Sequence, residues 1–198
     1  MKWTQEEVEK KLKCFAIGIS NIAEIDNKKY GLQFYDLDKS YSDLSHEEFF
    51  EYWNKIKHLF ENRDCIYFRT KHGIHFVSFS IDFIHSLKYY QRRVKKVSKK
   101  LNQDYRFNKS KYLVLRISPK KREIISKKTK EPINIIVSGR PRFIGVLNKP
   151  TKDMFISSDH LKIYNHYIGL PSKVLREYLN NSQIVQSKIK LHTYRTSR

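Results

Sequence analysis

The stretch Gly31-Leu32-Gln33-Phe34-Tyr35-Asp36-Leu37-Asp38 is a mainly apolar run that ends in two aspartates, Asp36 and Asp38. A second apolar run, Cys65-Ile66-Tyr67-Phe68, is followed by the basic turn Arg69-Thr70-Lys71-His72. The sequence is apolar again at Phe76-Val77, after Gly73-Ile74-His75. Short runs of β-branched and aromatic residues that are bounded by turn residues predict β-strands. We therefore expect a sheet whose strand ends carry acids, a histidine and several cations.

Strand alternation decides what the two acids can do. Residues i and i+2 of an extended segment project from the same face, so Asp36 and Asp38 converge on one point. Two adjacent carboxylates repel each other unless a cation lies between them, and hard oxygen ligands suit Mg²⁺ or Mn²⁺. In the alternative interpretation, the acids only end a strand and begin a turn, because Asp and Ser are favoured in turns. Leu37 points into the core under both interpretations.

His75 is the second candidate site residue. Alternation places it on one face with Gly73 and Val77, just after a glycine-containing stretch that allows the backbone to approach a ligand closely. An imidazole in that position can contact a triphosphate. The alternative is a structural or surface histidine that binds no ligand.

The rest of the chain alternates predicted strands with predicted helices. The strands fall at residues 32–35, 66–69, 74–80, 112–117 and 133–137. The helices fall at residues 4–14, 45–60, 81–101 and 171–179. This order predicts an α+β fold, a mixed sheet flanked by helices, with its site at the ends of strands. We expect a domain over residues 1–150 and a helical C-terminal extension over residues 151–198, whose basic end is either a flexible arm or a frayed terminus.

The charge of the chain indicates a polyanionic partner. Lys and Arg number 40 against 20 Asp and Glu, which gives a net charge of +20 and a pI of about 9.9. Such a charge speeds association with DNA or RNA and makes the affinity depend on salt. An anionic membrane is the competing partner, but we expect none, because the sequence has no sustained apolar span, signal-like start or lipidation motif.

Three basic segments are the candidate nucleic-acid contacts. Residues 88–100 mix basic and aromatic residues at helix-compatible spacing, so they predict either a face that follows a phosphate backbone or a solvated helix. The run at residues 120–122 predicts an exposed loop or hairpin tip, and residues 138–142 predict a turn. The residues that we assign to nucleic-acid binding are Arg92, Arg93, Lys95, Lys96, Lys120, Arg140 and Arg142.

The two cysteines bear on the cellular compartment. Cys14 and Cys65 both have apolar neighbours and cannot supply a zinc cluster by themselves. We expect buried thiols in a reducing compartment, which predicts a cytoplasmic protein.

The ordered motifs resemble those of the archaeo-eukaryotic primase superfamily, the small primase-polymerase catalytic domains. That family places an acid-x-acid pair at the end of a hydrophobic strand, then a helix, then a strand that enters a basic turn ending in a small residue, any residue and His. The corresponding residues here are 34–38, the helix-like residues 45–56 and residues 68–75. A lone acid followed by Arg amid apolar residues matches Asp104 and Arg116. The family often carries serine two positions before His, where this chain has Gly73.

The resemblance implies a metal-dependent nucleotidyltransferase, a DNA primase or polymerase that makes or extends primers on single-stranded DNA, or on RNA. The acids that it assigns to Mg²⁺ or Mn²⁺ are Asp36, Asp38 and Asp104, with Asp82 and Asp64 as alternative third acids. The residues that it assigns to the phosphates of a nucleoside triphosphate are His75, Arg69, Lys71 and Arg116. A helicase or other replication proteins are the implied partners, because the sequence contains no P-loop.

Two other functions fit the same residues. The first is a non-catalytic nucleic-acid-binding or accessory primase subunit, which should lack metal-dependent nucleotide binding. The second is a replication initiator nuclease that cuts DNA through a tyrosine. Such nucleases need two histidines separated by a single residue on one strand face, whereas His72 and His75 are separated by two.

Overall fold

The computed structural model describes residues 14–37, 39–60, 64–86, 114–126 and 129–196, with the single residues Lys88, Arg92 and Lys96. The strands are β1 (Cys14–Ile25), β2 (Lys28–Gly31), β3 (Phe34–Leu37), β4 (Cys65–Arg69), β5 (Ile74–Val77), β6 (Asp82–Phe83), β7 (Val114–Arg116), β8 (Lys120–Ile125), β9 (Pro132–Ser138), β10 (Arg142–Asn148), β11 (Phe155–Ser157), β12 (Gln183–Val185) and β13 (Lys188–Thr196). The α-helices that lie wholly within the described residues are α1 (His46–Ile56), α2 (Ser158–Ile168) and α3 (Ser172–Asn181). Short 3₁₀ turns, Tyr41–Asp43 and Lys57–Phe60, flank α1.

The long strand β1 organises the larger sheet, which we call sheet A. Its strand order is β6-β2-β1-β8-β9, and β7 and β13 also pair with β1. The turn between β1 and β2 consists of Asp26 and Asn27, with φ of 48° and 61°. Two successive left-handed residues are typical of the type I′ turn, whose twist matches that of a β-hairpin.

The basic C-terminal end of the chain is a strand rather than a flexible arm or a frayed terminus. β13 runs antiparallel to β1, from the pair Cys14 and Thr196 to the pair Glu24 and Lys188. The pairing with β1, which is interrupted by one register shift, satisfies part of the backbone of β13, and a charge pattern alone does not predict it.

Sheet B has the strand order β10-β4-β5-β3 and is antiparallel throughout. One of its faces packs on α1, whose buried residues Phe49, Trp53 and Ile56 form a helical stripe. Ser45 and Glu48 form a capping box that fixes where α1 begins: Glu48 N–H donates to Ser45 Oγ at 3.1 Å, and Ser45 N–H donates to Glu48 Oε2 at 2.9 Å.

The opposite face of sheet B packs against sheet A, α2 and α3 in one apolar cluster. Its members include Phe34 and Phe68 from sheet B, Ile19 from sheet A, Leu161 from α2 and Tyr178 from α3. Residues on both sides of position 150 therefore share a core. The segment after position 150 contains β11, β12 and β13 as well as α2 and α3, so it is not a purely helical extension.

The fold is α+β, as the sequence predicts, and its two larger sheets are antiparallel, while β11 and β12 pair in parallel. The predicted helix over residues 81–101 is wrong at its start. Asp82 and Phe83 form β6 and pair with Gly31 and Tyr30 of β2, because a sheet edge satisfies their backbone. The predicted helix over residues 4–14 lies outside the described residues except for Cys14, which begins β1.

Candidate functional site

A cleft of about 460 Å³ opens between sheet B and sheet A. Sheet B contributes the end of β3 and the turn between β4 and β5, and sheet A contributes β7, β8 and β9. The lining residues are Asp36, Thr70, Lys71, His72, Gly73, His75, Arg116, Lys120, Arg122, Val137 and Ser138. The volume falls within the range of small-molecule sites, roughly 300–1,000 Å³.

Asp36 and His75 lie side by side on the sheet B wall of the cleft. They are directly opposite each other in the pairing of β3 with β5, and His75 Nε2 is 3.6 Å from Asp36 Oδ1. The Asp36 side chain is 54% exposed, whereas that of His75 is 8% exposed. The carboxylate therefore faces the open cleft, and the imidazole is held in a fixed position next to it.

The turn between β4 and β5 is closed by backbone and side-chain hydrogen bonds. Thr70 N–H donates to the Gly73 carbonyl at 2.8 Å, and Thr70 Oγ1 donates to the same oxygen at 3.1 Å. A Cβ at Gly73 would lie 2.4 Å from the Leu37 carbonyl oxygen and 3.3 Å from Asp36 Oδ1. The glycine is thus required for the close approach of this turn to the acid.

The sheet A wall carries the main cations. Arg116 is anchored by its guanidinium, whose Nη1 donates to the carbonyls of Ser118 at 2.9 Å and Gly139 at 2.8 Å. Lys120 and Arg122 are separated by two positions on β8, so they project from the same side of the strand. A guanidinium held by carbonyls keeps its position without a ligand, which lowers the entropic cost of binding one.

The charges of the cleft favour a multiply charged anion. Lys71, Arg116, Lys120 and Arg122 supply four cationic side chains, and Asp36 is the one carboxylate among the described lining residues. Clefts lined by one sign of charge between low-dielectric walls concentrate counter-ions of the opposite sign. The arrangement can therefore hold a polyphosphate on the cationic wall with its reactive end towards Asp36.

The described residues of the cleft suit a hard divalent cation such as Mg²⁺ only when a bound substrate supplies further oxygen ligands. In the described part of the chain, no group of three or more His, Cys, Asp or Glu could hold a metal ion. Mg²⁺ is commonly bound by one or two carboxylates together with substrate phosphates, and Asp36 offers one such carboxylate in the open cleft. Asp38 and Asp104, the two other predicted metal ligands, lie outside the described residues.

Neither alternative third acid reaches the cleft. Asp64 is fully buried at the opposite end of β5, where its carboxylate accepts hydrogen bonds from Ser78, Phe79, Ser80 and Tyr178. Burial raises the pKa of Asp64, although these hydrogen bonds oppose the shift. Asp82 lies in β6 opposite Gly31 and does not line the cleft.

Arg69 is a predicted phosphate ligand that the structure does not bring to the cleft. It is exposed and belongs to the side of β4 opposite that of Phe68, because side chains alternate along a strand. Phe68 is the β4 residue that pairs with His75, so the side of β4 that carries Arg69 is not the side on which His75 lies. Arg69 instead pairs across the sheet with Arg142, so two of the predicted basic residues form a separate exposed cationic pair.

The predicted nucleic-acid residues divide into four groups. Lys120 lines the cleft, and Arg140 and Arg142 are exposed near the end of β9. Arg92 and Lys96, like Lys88, have helical backbone and exposed side chains. Arg93 and Lys95 lie outside the described residues.

Two residues that line the cleft, Arg122 and Ser138, are not among the site residues that the sequence predicts. Residues 120–122 were expected to form a loop or hairpin tip, but they begin the strand β8. The signal that was available is the spacing of Lys120 and Arg122, which places two cations on one strand face. Nothing in the sequence indicated that β8 would face the turn that contains His72.

No family model, curated protein or solved structure matches this chain. No helix among the described residues is long and apolar enough to cross a membrane. The function has therefore to be inferred from the side chains of the protein itself.

Proposed function

We propose that this protein is a metal-dependent nucleotidyltransferase of the primase-polymerase type, which synthesises or extends primers on single-stranded DNA. The observation that carries this proposal is the cleft that joins Asp36 and His75 of sheet B to Arg116, Lys120 and Arg122 of sheet A. Motifs that are far apart in the sequence thus line one cavity. A chance resemblance of short motifs gives no reason for that convergence.

The cationic wall matches the phosphates of a nucleoside triphosphate. Arg116 and Arg122 present guanidinium groups, which pair with phosphate oxygens through two parallel hydrogen bonds. Lys71 and Lys120 add point charges on either side of the cleft. The proposed roles of these residues are to bind the triphosphate and to offset its charge as the α-phosphate is attacked.

Asp36 is the proposed metal ligand on the opposite wall, together with Asp38 and Asp104 as sequence predictions. When bound, Mg²⁺ or Mn²⁺ would polarise the α-phosphate and favour ionisation of the attacking hydroxyl. His75 Nε2 lies 3.6 Å from Asp36 Oδ1, so the imidazole can orient that carboxylate, and the predicted contact of His75 with a phosphate would have to be made by the same Nε2, because Nδ1 is buried. Positioning and charge stabilisation account for most of the catalysis in phosphoryl transfer, and the cleft supplies both.

The accessory-subunit function is favoured by one observation, the single carboxylate among the described residues of the cleft. An accessory subunit would bind single-stranded DNA through the same basic surface but would not incorporate nucleotides. The initiator nuclease receives less support, because no tyrosine is among the described residues that line the cleft beside His72 and His75.

The test is nucleotide incorporation on single-stranded DNA with Mg²⁺ or Mn²⁺, comparing the unmodified protein with Asp36→Asn. We expect metal-dependent products from the unmodified protein, and a loss of at least about 100-fold in Asp36→Asn, which exceeds the usual loss of an outer-shell partner. Asp153→Asn is the matched control, since Asp153 is an exposed acid that does not line the cleft.

Two results would contradict the proposal. Incorporation by Asp36→Asn at the rate of the unmodified protein would show that Asp36 is not a metal ligand that the reaction needs. Absence of product in every condition, with DNA binding retained by all three proteins, would favour the accessory-subunit function.

A further inference from the structure

The hairpin of β8 and β9 carries an exposed apolar strip that begins where the cleft ends. Ile133 is 43% exposed and Ile135 is 38% exposed. Ile135 pairs with Arg122, which lines the cleft, and Ile133 pairs with Ile124 two positions further along β8. Residues paired in a ladder, and residues two apart on a strand, share one face, so both isoleucines lie on the cleft-facing side of the hairpin.

Cations lie at both ends of this strip. Arg122 lies at its inner end in the cleft wall, and Lys130 is exposed in the turn at its outer end. Between residues 116 and 142 the sequence contains nine Lys or Arg against two Glu, Glu123 and Glu131. The strip is therefore apolar in the middle and cationic at its ends and surroundings.

We propose that this strip binds the bases of single-stranded nucleic acid as the strand passes the cleft. Unpaired bases present apolar faces, and isoleucine is among the side chains that proteins place against or between bases. The phosphates of the same strand would contact Lys130 and Arg122. The surrounding positive charge favours this occupant over an apolar protein segment.

The inference rests on the proposed function in one respect, the assumption that the neighbouring cleft holds a nucleotide. The strip would then present the template base beside the incoming nucleotide. A second copy of this chain is the rival occupant, because β9 is the last strand of sheet A in the described residues, and open sheet edges promote strand pairing between chains.

The test compares two double variants of the full chain, one for each face of the hairpin. The first is Ile133→Ser with Ile135→Ser on the cleft-facing side. The matched control is Ile125→Ser with Ile136→Ser, two isoleucines on the other face that are 61% and 64% exposed. The probes are a labelled oligo-dT and an oligomer of the same length made of abasic sites, which has the phosphates without the bases.

We expect the unmodified protein and the control to bind oligo-dT about tenfold more tightly than the abasic oligomer. The cleft-facing variant should bind both probes equally, at the affinity that the unmodified protein has for the abasic oligomer. Equal preference for oligo-dT in all three proteins would overturn the proposal. Sedimentation that reveals a dimer, lost only in the cleft-facing variant while the preference for oligo-dT persists, would overturn it in favour of a second copy.

The same proteins separate this inference from the proposed function. A base preference that depends on Ile133 and Ile135 supports the strip even if no protein incorporates nucleotides, in which case the nucleotidyltransferase proposal fails alone. Incorporation that depends on Asp36, with no effect of the isoleucines on base preference, refutes the strip alone.

Discussion

Gly73 determines how closely the basic turn can approach the acid of the cleft. Its backbone lies against the carbonyl of Leu37, and no other amino acid fits without a shift of one strand. The contact is with backbone rather than with the flexible end of a side chain, so little relief is available. The close approach of the basic turn to Asp36 therefore depends on the absence of a side chain at position 73.

We predict that Gly73→Ala destabilises the fold by about 1–3 kcal/mol, the usual cost of overpacking a closed site. The matched control is Gly139→Ala, because a Cβ at Gly139 meets no atom within 4 Å. It should change the free energy of unfolding by less than about 0.5 kcal/mol. Denaturant unfolding measures both, and equal effects of the two substitutions would refute the steric account.

His160 is a buried histidine outside the cleft whose ring nitrogens have no hydrogen-bond partner in the described residues. Its ring packs against Phe79 at 4.7 Å and Tyr164 at 4.5 Å between centroids. Burial lowers its pKa from 6.5 to about 3. The neutral imidazole thus fills space in the apolar core, and the burial of its two unpaired nitrogens costs free energy.

We predict that His160→Phe raises the free energy of unfolding at pH 7 by about 1 kcal/mol, because it removes unsatisfied polar atoms and keeps a ring. The effect should grow as the pH falls. Unfolded His160 takes up a proton below about pH 6.5, whereas the folded form resists it down to about pH 3, so the unmodified protein loses stability across that window. Stability curves from pH 7 to pH 4 measure this, with exposed His166→Phe as the control. Parallel curves for His160→Phe and the unmodified protein would contradict it.

Asp64 ties three elements together at the end of sheet B remote from the cleft. It precedes β4, accepts hydrogen bonds from Ser78 and Ser80 after β5, and accepts one from Tyr178 Oη of α3 at 2.9 Å. A carboxylate with this many donors is satisfied although it is fully buried. The cluster fixes α3 against the sheet and has no part in the proposed chemistry.

We predict a graded loss of stability when this cluster is reduced. Tyr178→Phe removes one donor and should cost about 1 kcal/mol, whereas Asp64→Ala leaves several buried donors unpaired and should cost about 3 kcal/mol or more. Thermal unfolding measures both. Nucleotide binding should survive in Tyr178→Phe, and its loss there would show that the cluster supports the cleft.

The elements that the sequence predicted best are those with a strong local pattern. The stripe of Phe49, Trp53 and Ile56 specifies α1, and the apolar runs on both sides of the turn at Gly73 specify β4 and β5. The strand at Lys188–Thr196 was missed, because its backbone pairs with β1, which lies more than 160 positions away in the sequence. Pairing over such a distance leaves no local signal.

The candidate site was predictable in part for the same reason. Asp36 and His75 follow from alternation on two strands that pair directly. Arg69 follows from its place in the basic turn, but alternation puts its side chain on the side of β4 away from His75. Arg122 was not assigned, because only the tertiary fold brings sheet A to face the turn between β4 and β5.

The net charge of +20 is distributed over several surfaces of the protein, and in the described residues the cleft is one of them. Lys120 and Arg122 line the cleft, Arg140 and Arg142 are exposed beside the end of β9, and Lys130 is exposed at the hairpin turn. Such a surface attracts any polyanion, so charge alone does not define the substrate. Under the proposed function, discrimination between polyanions comes from the cleft, where the cations face a carboxylate.

The most direct measurement is the affinity of the protein for AMP, ADP and ATP in the presence of Mg²⁺, with Arg122→Gln as the test variant and the exposed Lys152→Gln as its control. We predict that the affinity of the unmodified protein and of Lys152→Gln rises with each phosphate, and that Arg122→Gln binds ATP about tenfold more weakly and distinguishes the three nucleotides less. Equal affinity of the unmodified protein for AMP and ATP, or ATP binding that is unchanged in Arg122→Gln, would contradict a triphosphate site in this cleft.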